Sequence, residues 1–260
     1  MRGTQRFPHR CPAGRAKIRA GRHLFQPPPG GAGNKKETAA MLHRAELARR
    51  IDHTLLRSHA SQEEIARLCD QAVENGFRTV SVNPAWVSFC AKRLDGAGVG
   101  VDACVGFPLG ATTAHVKVEE AREAAGNGAA EIDMVINIGA LKSGYAQFVE
   151  KEIAAVVQAA GRAGVKVILE TSCLTDNEKA AVCEMSIRAG AAFVKTSTGF
   201  AQGGATAEDV AFMRSVVAGR IGIKAAGGIR SLADALAMIE AGATVIGTSA
   251  GVAIVEEAPG

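Results

Sequence analysis

Two lysines lie inside apolar segments, where a charged side chain is unusual. Lys195 occurs in AAFVKTSTGF, Lys224 in IGIKAAGG, and a third ionisable residue, Asp133, in EIDMVIN. A buried ammonium must pair with a carboxylate, reach water or lose its proton. Two neighbouring ammonium groups each favour the neutral amine of the other, and a neutral amine can form a Schiff base with a carbonyl. The residues leave open a structural role for either lysine, and a salt-bridge or acid/base role for Asp133.

Two glycine-rich segments near the end of the chain suit an anion. AAGGIR at 225–230 and IGTSAG at 246–251 combine small residues, backbone N–H groups and a hydroxyl. In many barrel enzymes, loops at the corresponding places bind phosphate. Because strand–helix turns are commonly rich in glycine, either segment alone is weak, but the two together favour a phosphate site.

These residues follow a regular alternation of apolar segments and amphipathic helices. Strands are predicted at Ile51–Thr54, Thr79–Val82, Val101–Val105, Glu131–Ile136, Val165–Glu170, Phe193–Thr196, Gly222–Ala225 and Thr244–Gly247. Helices are predicted at Gln62–Asn75, Thr113–Asn127, Tyr145–Ala163, Asp176–Ala189, Ala207–Ala218 and Ser231–Ala241. This alternation implies parallel strands, and eight units favour a single-domain (β/α)8 TIM barrel. A doubly wound open sheet is the alternative, but no G-x-G-x-x-G follows the first strand.

The active site of a barrel lies at the C-terminal ends of its strands. The polar and loop residues predicted there are Asp52, Thr54, Asn83, Phe107–Gly110, Asp133, Asn137, Glu170, Thr171, Lys195–Thr198, Lys224, Gly227, Gly228 and Gly247–Ser249.

The positive charge of the chain is confined to its N-terminus. The 260 residues include 30 Lys and Arg against 26 Asp and Glu, a net charge of +4. Residues 1–36 hold six Arg, three Lys and no acid, so they carry +9 and the remainder −5. We predict that residues 1–40 form a disordered extension and 41–260 the barrel. The extension has three interpretations: translation that really starts at Met41, a genuine tail, or an organelle-targeting peptide.

Composition argues against several other classes. No apolar run is long enough to cross a bilayer, and the six cysteines form no C-x-x-C pair. Aromatic residues make up only 4%, which disfavours a nucleic-acid stacking surface. We therefore expect a cytoplasmic protein with no membrane or nucleic-acid partner.

From about Leu47 to Ile254 the chain resembles the deoxyribose-phosphate aldolase family. The segments that carry the resemblance are, in order along the chain, IDHTLL, VSVNP, VGFPLGA, EIDMVINIGALKSG, VKVILET, FVKTSTGF, IGIKAAGGIR and IGTSAGVAI. The resemblance implies a class I aldolase of deoxyribose phosphate catabolism. Such an enzyme cleaves 2-deoxy-D-ribose 5-phosphate to acetaldehyde and D-glyceraldehyde 3-phosphate without metal or cofactor. A homodimer is also expected.

The resemblance also implies roles for individual residues. Lys195 is expected to form the Schiff base, with Asp133 and Lys224 as proton donors and acceptors. Substrate and phosphate are expected to contact Asp52, Thr54, Thr198, Gly199, Gly227, Gly228, Gly247 and Ser249. The chain departs from some members, which have Cys at Ser81, Lys at Phe200 and Ser at Ala250.

Two other functions remain open from the sequence. One is a different phosphate-binding barrel enzyme, either an isomerase or an aldolase acting on a ketose phosphate. The other is a nucleic-acid-binding or scaffold protein with a basic extension and a non-catalytic barrel.

Overall fold

The computed structural model describes residues 42–259, so the predicted disordered extension at 1–40 lies outside the described residues. Eight strands alternate with helices along this part of the chain. The strands are β1 Ile51–Leu55, β2 Thr79–Val82, β3 Gly100–Val105, β4 Glu131–Val135, β5 Gly164–Ile168, β6 Phe193–Lys195, β7 Gly222–Ala226 and β8 Val245–Thr248. The helices are α1 Arg44–Ala48, α2 Gln62–Asn75, α3 Val87–Arg93, α4 Ala114–Gly126, α5 Ile138–Lys142, α6 Ala146–Ala160, α7 Asp176–Arg188, α8 Ala207–Val217, α9 Leu232–Ala241 and α10 Gly251–Glu256.

All eight strands are parallel and close into a barrel in sequence order. Pairing of β1 with β8, in which Asp52 lies opposite Gly247, completes the cylinder. The predicted (β/α)8 TIM barrel is therefore confirmed. No helix within residues 42–259 is long and apolar enough to span a membrane.

Several helices begin at side chains that satisfy the free backbone N–H groups of the first turn. Ser61, Thr175 and Ser231 each form a reciprocal capping box with an acidic residue three positions later. These caps fix where each helix starts, and hence the length of the loop between the preceding strand and that helix.

Alternation along the strands separates an apolar outer layer from a charged interior. On β4, Ile132 and Met134 join the hydrophobic core, whereas Glu131 and Asp133 form ion pairs with lysines of other strands. Successive side chains of a strand point to opposite faces, so this pattern directs charge to the axis of the barrel.

The predicted strand limits agree with the structure to within two residues, and one difference is informative. The prediction extended the fifth strand to Glu170, but β5 ends at Ile168. Glu170 has φ 56° and ψ 66°, in the left-handed region that an extended strand cannot contain. The sequence also gave no indication of the short helices α1, α3, α5 and α10.

Candidate active site

The interior of the barrel holds an ion-pair network built from six of the eight strands and the residue before β2. Its cations are Lys166 on β5, Lys195 on β6, Lys224 on β7 and Arg78; its anions are Asp52 on β1, Asp102 on β3, and Glu131 and Asp133 on β4. Four positive and four negative groups thus lie together. Such balance is required because an unpaired charge in this interior would be strongly destabilising.

Within this network Asp133 joins the two lysines singled out from the sequence. Its Oδ2 atom lies 2.6 Å from Lys195 Nζ and 2.8 Å from Lys224 Nζ. The two lysines are also opposite each other in the pairing of β6 with β7. The predicted grouping of Lys195, Asp133 and Lys224 therefore exists as one hydrogen-bonded cluster.

The two lysines have different surroundings. Lys224 Nζ also lies 2.7 Å from Asp52 Oδ2 and 2.8 Å from Asp102 Oδ2, so it contacts three carboxylates. Lys195 contacts one carboxylate and lines the open cavity at the barrel mouth, which Lys224 does not. Lys195 is therefore the lysine within reach of a ligand in that cavity.

The carboxylates also set the proton affinities of the network. Burial acts to lower the pKa of Lys224, but Asp102, Asp133 and Asp52 outweigh it and raise that pKa above its ordinary value. Burial opposes ionisation of Asp133, yet Lys166, Lys195 and Lys224 hold its pKa well below the usual range. Lys224 thus stays an ammonium and Asp133 a carboxylate at neutral pH.

Asp102 differs from the other aspartates. Burial, together with the nearby charge of Asp133, raises the pKa of Asp102, although Lys166 and Lys224 act in the opposite direction. The pKa of Asp52 is instead lowered, because Lys166, Lys224 and Arg78 outweigh its burial. Asp102 is therefore the aspartate of the network that most readily holds a proton.

The mouth of the barrel opens into a cavity of about 610 Å³. Lys195 lies in its wall, together with seven of the residues expected to contact substrate: Thr54, Thr198, Gly199, Gly227, Gly228, Gly247 and Ser249. Three arginines that the sequence reasoning did not select also line it, Arg57, Arg67 and Arg230. Sequence alone gave no signal for them, since surface arginines are common.

Backbone N–H groups in the cavity loops are available to an anion. The amides of Gly199, Gly227, Gly228 and Ser249 donate to no residue within 42–259. Side chains fix the loops around them: Thr196 Oγ1 hydrogen-bonds the backbone of Ala226 on the neighbouring strand. This combination of held loops and unpaired N–H groups matches a phosphate cradle.

Asp52 is the one expected substrate contact that the structure places elsewhere. Its side chain is completely buried and pairs with Lys166, Lys224 and Arg78, while Thr79 Oγ1 donates to it at 2.7 Å. It is absent from the cavity wall. Asp52 therefore makes no direct contact with the cavity and acts through the lysines that it pairs with.

Four network residues were missed by the sequence reasoning, and one of them is Arg78, just before β2. Asp102 lies within VDACV, Lys166 within VKVIL, and Glu131 begins β4. Of these three, the first two show the feature that identified Lys195 and Lys224, a charge inside an apolar strand. A charge inside an apolar strand therefore also marks Asp102 and Lys166, and it indicates that Asp133 is not the only carboxylate inside the barrel.

Of the positions at which the chain departs from some relatives, Phe200 lies in the cavity wall and Ser81 does not. Phe200 is about half exposed and packs edge-on against Phe107, with ring centres 5.2 Å apart. Lys195 Nζ lies 5.9 Å from the centre of the Phe107 ring. Ser81 is buried on β2, and its hydroxyl has no hydrogen-bond partner among the described residues.

Comparison with known proteins shows the family to which the chain belongs. The profile described as DeoC/LacD family aldolase matches residues 47–257. The chain belongs to this aldolase family. A deoxyribose-phosphate aldolase of Halalkalibacterium halodurans is 57% identical over 211 residues, covering 80% of this chain and 94% of the relative. One from Streptococcus pneumoniae is 58% identical over 211 residues, covering 81% and 96%.

Solved structures extend the likeness to the fold. The structure described as a unique tetrameric deoxyribose phosphate aldolase from Aeropyrum pernix superposes with a TM-score of 0.80 at 34% identity, covering 87% of this chain and 97% of that chain. The matched region includes every strand of the barrel, so the charged network lies wholly within the part of the chain shared with the DeoC/LacD aldolases.

Proposed function

We propose that the protein reversibly cleaves 2-deoxy-D-ribose 5-phosphate to D-glyceraldehyde 3-phosphate and acetaldehyde through a Schiff base on Lys195. The observation that carries this proposal is the asymmetry of the two lysines. Lys195 faces the cavity with one carboxylate partner, whereas Lys224 is enclosed by three. The named relatives at 57–58% identity support the choice of substrate.

The reaction begins when the neutral amine of Lys195 attacks the C1 aldehyde of the open-chain sugar and water is lost. The resulting iminium withdraws electrons from C2. The ammonium of Lys224 lies on the same carboxylate oxygen as Lys195, so both lysines share Asp133. Asp133 takes the proton that the attacking nitrogen loses and returns it to the C1 oxygen, which leaves as water, so Asp133 is again a carboxylate before cleavage.

Cleavage then breaks the C2–C3 bond. Asp133, directly or through a water molecule, accepts the proton of the C3 hydroxyl as that oxygen becomes the aldehyde of glyceraldehyde 3-phosphate. The bond's electron pair moves to C2 and forms an enamine on Lys195. Protonation of C2 and hydrolysis of the iminium release acetaldehyde and restore the amine. The proton that Asp133 took from the C3 hydroxyl is returned to C2, with Lys224 as the second member of the proton relay.

The phosphate is assigned to the glycine-rich loops that line the cavity. The unpaired amides of Gly199, Gly227, Gly228 and Ser249 suit its oxygens. Thr54, Thr198 and Gly247 complete the expected set in the wall. Arg67 and Arg230, which also line the cavity, supply positive charge at a mouth where Phe200 replaces the lysine of some relatives.

Reductive trapping tests the proposal. Borohydride with acetaldehyde should add an ethyl group to Lys195 alone, detected by peptide mass spectrometry, and Lys195→Met should abolish both adduct and cleavage. An adduct on Lys224, or none, would contradict the assignment. Product analysis tests the substrate: release of dihydroxyacetone phosphate would favour a ketose-phosphate aldolase instead.

The remaining expectations concern cellular context and assembly. We propose a cytoplasmic enzyme of deoxyribose phosphate catabolism, supported by the free state of Cys69, Cys90, Cys104, Cys173 and Cys183. The boundary at residue 41 and the homodimer stay predictions. Intact-mass measurement of the native protein tests the first, and light scattering tests the second against the tetramer named for the Aeropyrum pernix relative.

A further inference from the structure

Glu170 is a buried carboxylate next to the active site that the reaction described above does not use. Glu170 is only 3% exposed to solvent. Its backbone is left-handed, with φ 56° and ψ 66°, a conformation that costs a non-glycine residue about 1–2 kcal/mol. Among the described residues only Ala218, at the end of α8, is another non-glycine with positive φ. Strained backbone of this kind clusters at functional sites, so the conformation of Glu170 points to a role in the neighbouring active site.

The left-handed turn directs Glu170 toward the loop that follows β6. The residues on either side of it are both tied to β6 and its extension. Leu169 N donates to Lys195 O at 2.9 Å, and Thr171 N donates to Thr196 O at 3.0 Å. Between these two anchors the chain turns at Glu170, and the carboxylate reaches Thr198, three residues after the Schiff-base lysine.

Both hydrogen-bond donors of Thr198 are directed at Glu170. The backbone N–H of Thr198 donates to Glu170 Oε2 at 3.2 Å, and the threonine hydroxyl donates to the same oxygen. That hydroxyl in turn accepts from Phe200 N at 3.1 Å. A continuous chain therefore runs from the Phe200 amide through Thr198 Oγ1 to the carboxylate, and it encloses Gly199.

This chain leaves the Gly199 amide as the unpaired donor of the loop. Gly199 has φ 80°, and its N–H has no acceptor within residues 42–259. Gly199 also packs against the glycine-rich segment 225–230: a Cβ on Gly227 would lie only 3.4 Å from Gly199 Cα. A shift of the loop would therefore move two parts of the cradle at once.

We propose that Glu170 is a positioning residue that holds the Thr198–Phe200 loop so that the Gly199 amide meets the substrate phosphate. The proposal rests on the proposed function. It also assigns Thr198 to the support of the loop, because its single hydroxyl proton is already given to Glu170. Glu170 acts on phosphate affinity and has no part in bond making at Lys195.

Two variants separate positioning from folding. Glu170→Gln keeps the shape of the side chain but loses the charge that accepts two donors. Glu170→Gly also loses the carboxylate, yet it adopts the left-handed backbone without strain. Glu152→Gln is the matched control, because Glu152 is another buried carboxylate, paired with Lys117 at 2.9 Å and absent from the cavity wall.

Two measurements are compared for each variant. One is phosphate recognition, as KM for 2-deoxyribose 5-phosphate and the inhibition constant of inorganic phosphate. The other needs no phosphate: the rate at which acetaldehyde and borohydride modify Lys195. Both Glu170 variants should raise KM and the inhibition constant about tenfold or more, the effect of losing a hydrogen bond to a charged group. The trapping rate of both Glu170 variants should stay within about twofold of the wild-type rate. Glu152→Gln should change neither phosphate recognition nor the trapping rate.

Other outcomes would overturn the inference. An equal fall in trapping and in phosphate affinity would place Glu170 in the chemistry at Lys195, and unchanged phosphate constants would remove any positioning role. Failure of both variants to fold would make Glu170 a folding determinant only. Absence of trapping and cleavage in the wild-type protein would instead refute the proposed function, so the two failures are distinguishable.

Discussion

Replacing either active-site lysine by methionine removes one amino group from the network, yet the contacts that remain predict unequal losses of stability. After Lys195→Met, Asp133 still contacts the ammonium groups of Lys166, at 3.2 Å, and Lys224, at 2.8 Å. After Lys224→Met, Asp102 keeps a single cationic partner, Lys166, at 2.9 Å. The second variant therefore leaves buried carboxylates undercompensated, whereas the first does not.

The magnitudes follow from the contacts that remain. Removing one partner of a buried ion pair costs about 3–5 kcal/mol, and we expect Lys224→Met in this range. Lys195→Met removes one contact at the cavity wall and should cost about 1 kcal/mol, a typical value for a point substitution. Each kcal/mol lowers Tm by about 2–4 °C in a protein of this size, so the expected falls are about 6–20 °C and about 2–4 °C.

Calorimetry at neutral pH measures both variants directly. Lys92→Met serves as the control, since Lys92 is an exposed lysine on α3 and its replacement should change stability by less than about 0.5 kcal/mol. Both active-site variants should lose cleavage activity. Equal falls in Tm, or a larger fall for Lys195→Met, would refute the argument that Lys224 carries most of the charge compensation.

Two further predictions concern the cradle and the thiols. Gly227 has φ 95°, and an added Cβ would lie 3.2 Å from Gly204 Cα. Gly227→Ala should therefore raise KM for 2-deoxyribose 5-phosphate about tenfold or more. An unchanged KM in steady-state assays would argue against a phosphate site at Gly227. Burial raises the pKa of Cys104 to about 12. Iodoacetamide at pH 8 should therefore label the exposed Cys173 and spare Cys104 until the protein unfolds, which peptide mass spectrometry measures. Equal labelling of both cysteines in the native protein would contradict the buried position of Cys104.

The sequence predicts the barrel well because its strands are short, apolar and separated by long amphipathic helices. The helices it misses, such as α5 at Ile138–Lys142 and α10 at Gly251–Glu256, have five to seven residues. That is too short for a 3.6-residue period to become visible. Their existence depends on packing against neighbouring elements, which no local pattern encodes.

The site is predictable to the extent that charge inside an apolar strand is a signal. That signal finds Lys195, Lys224 and Asp133, and it applies equally to Asp102 and Lys166. It does not reveal which lysine faces the cavity, because that depends on the position of each side chain along the barrel axis. The left-handed turn at Glu170 has no sequence signature at all, since the residue is not one that favours positive φ.

The charged interior also bears on how the two halves of the barrel come together. The chain from β1 to β4 contributes Arg78 and four carboxylates, a net charge of −3, and the chain from β5 to β8 contributes Lys166, Lys195 and Lys224, a net charge of +3. Lys224 reaches Asp102 across 122 positions of sequence. Neither half can neutralise its own interior, so each half-barrel needs the other before its axial charges can be buried. A chimera that replaces one half of this barrel must therefore supply axial charges complementary to those of the half that is kept.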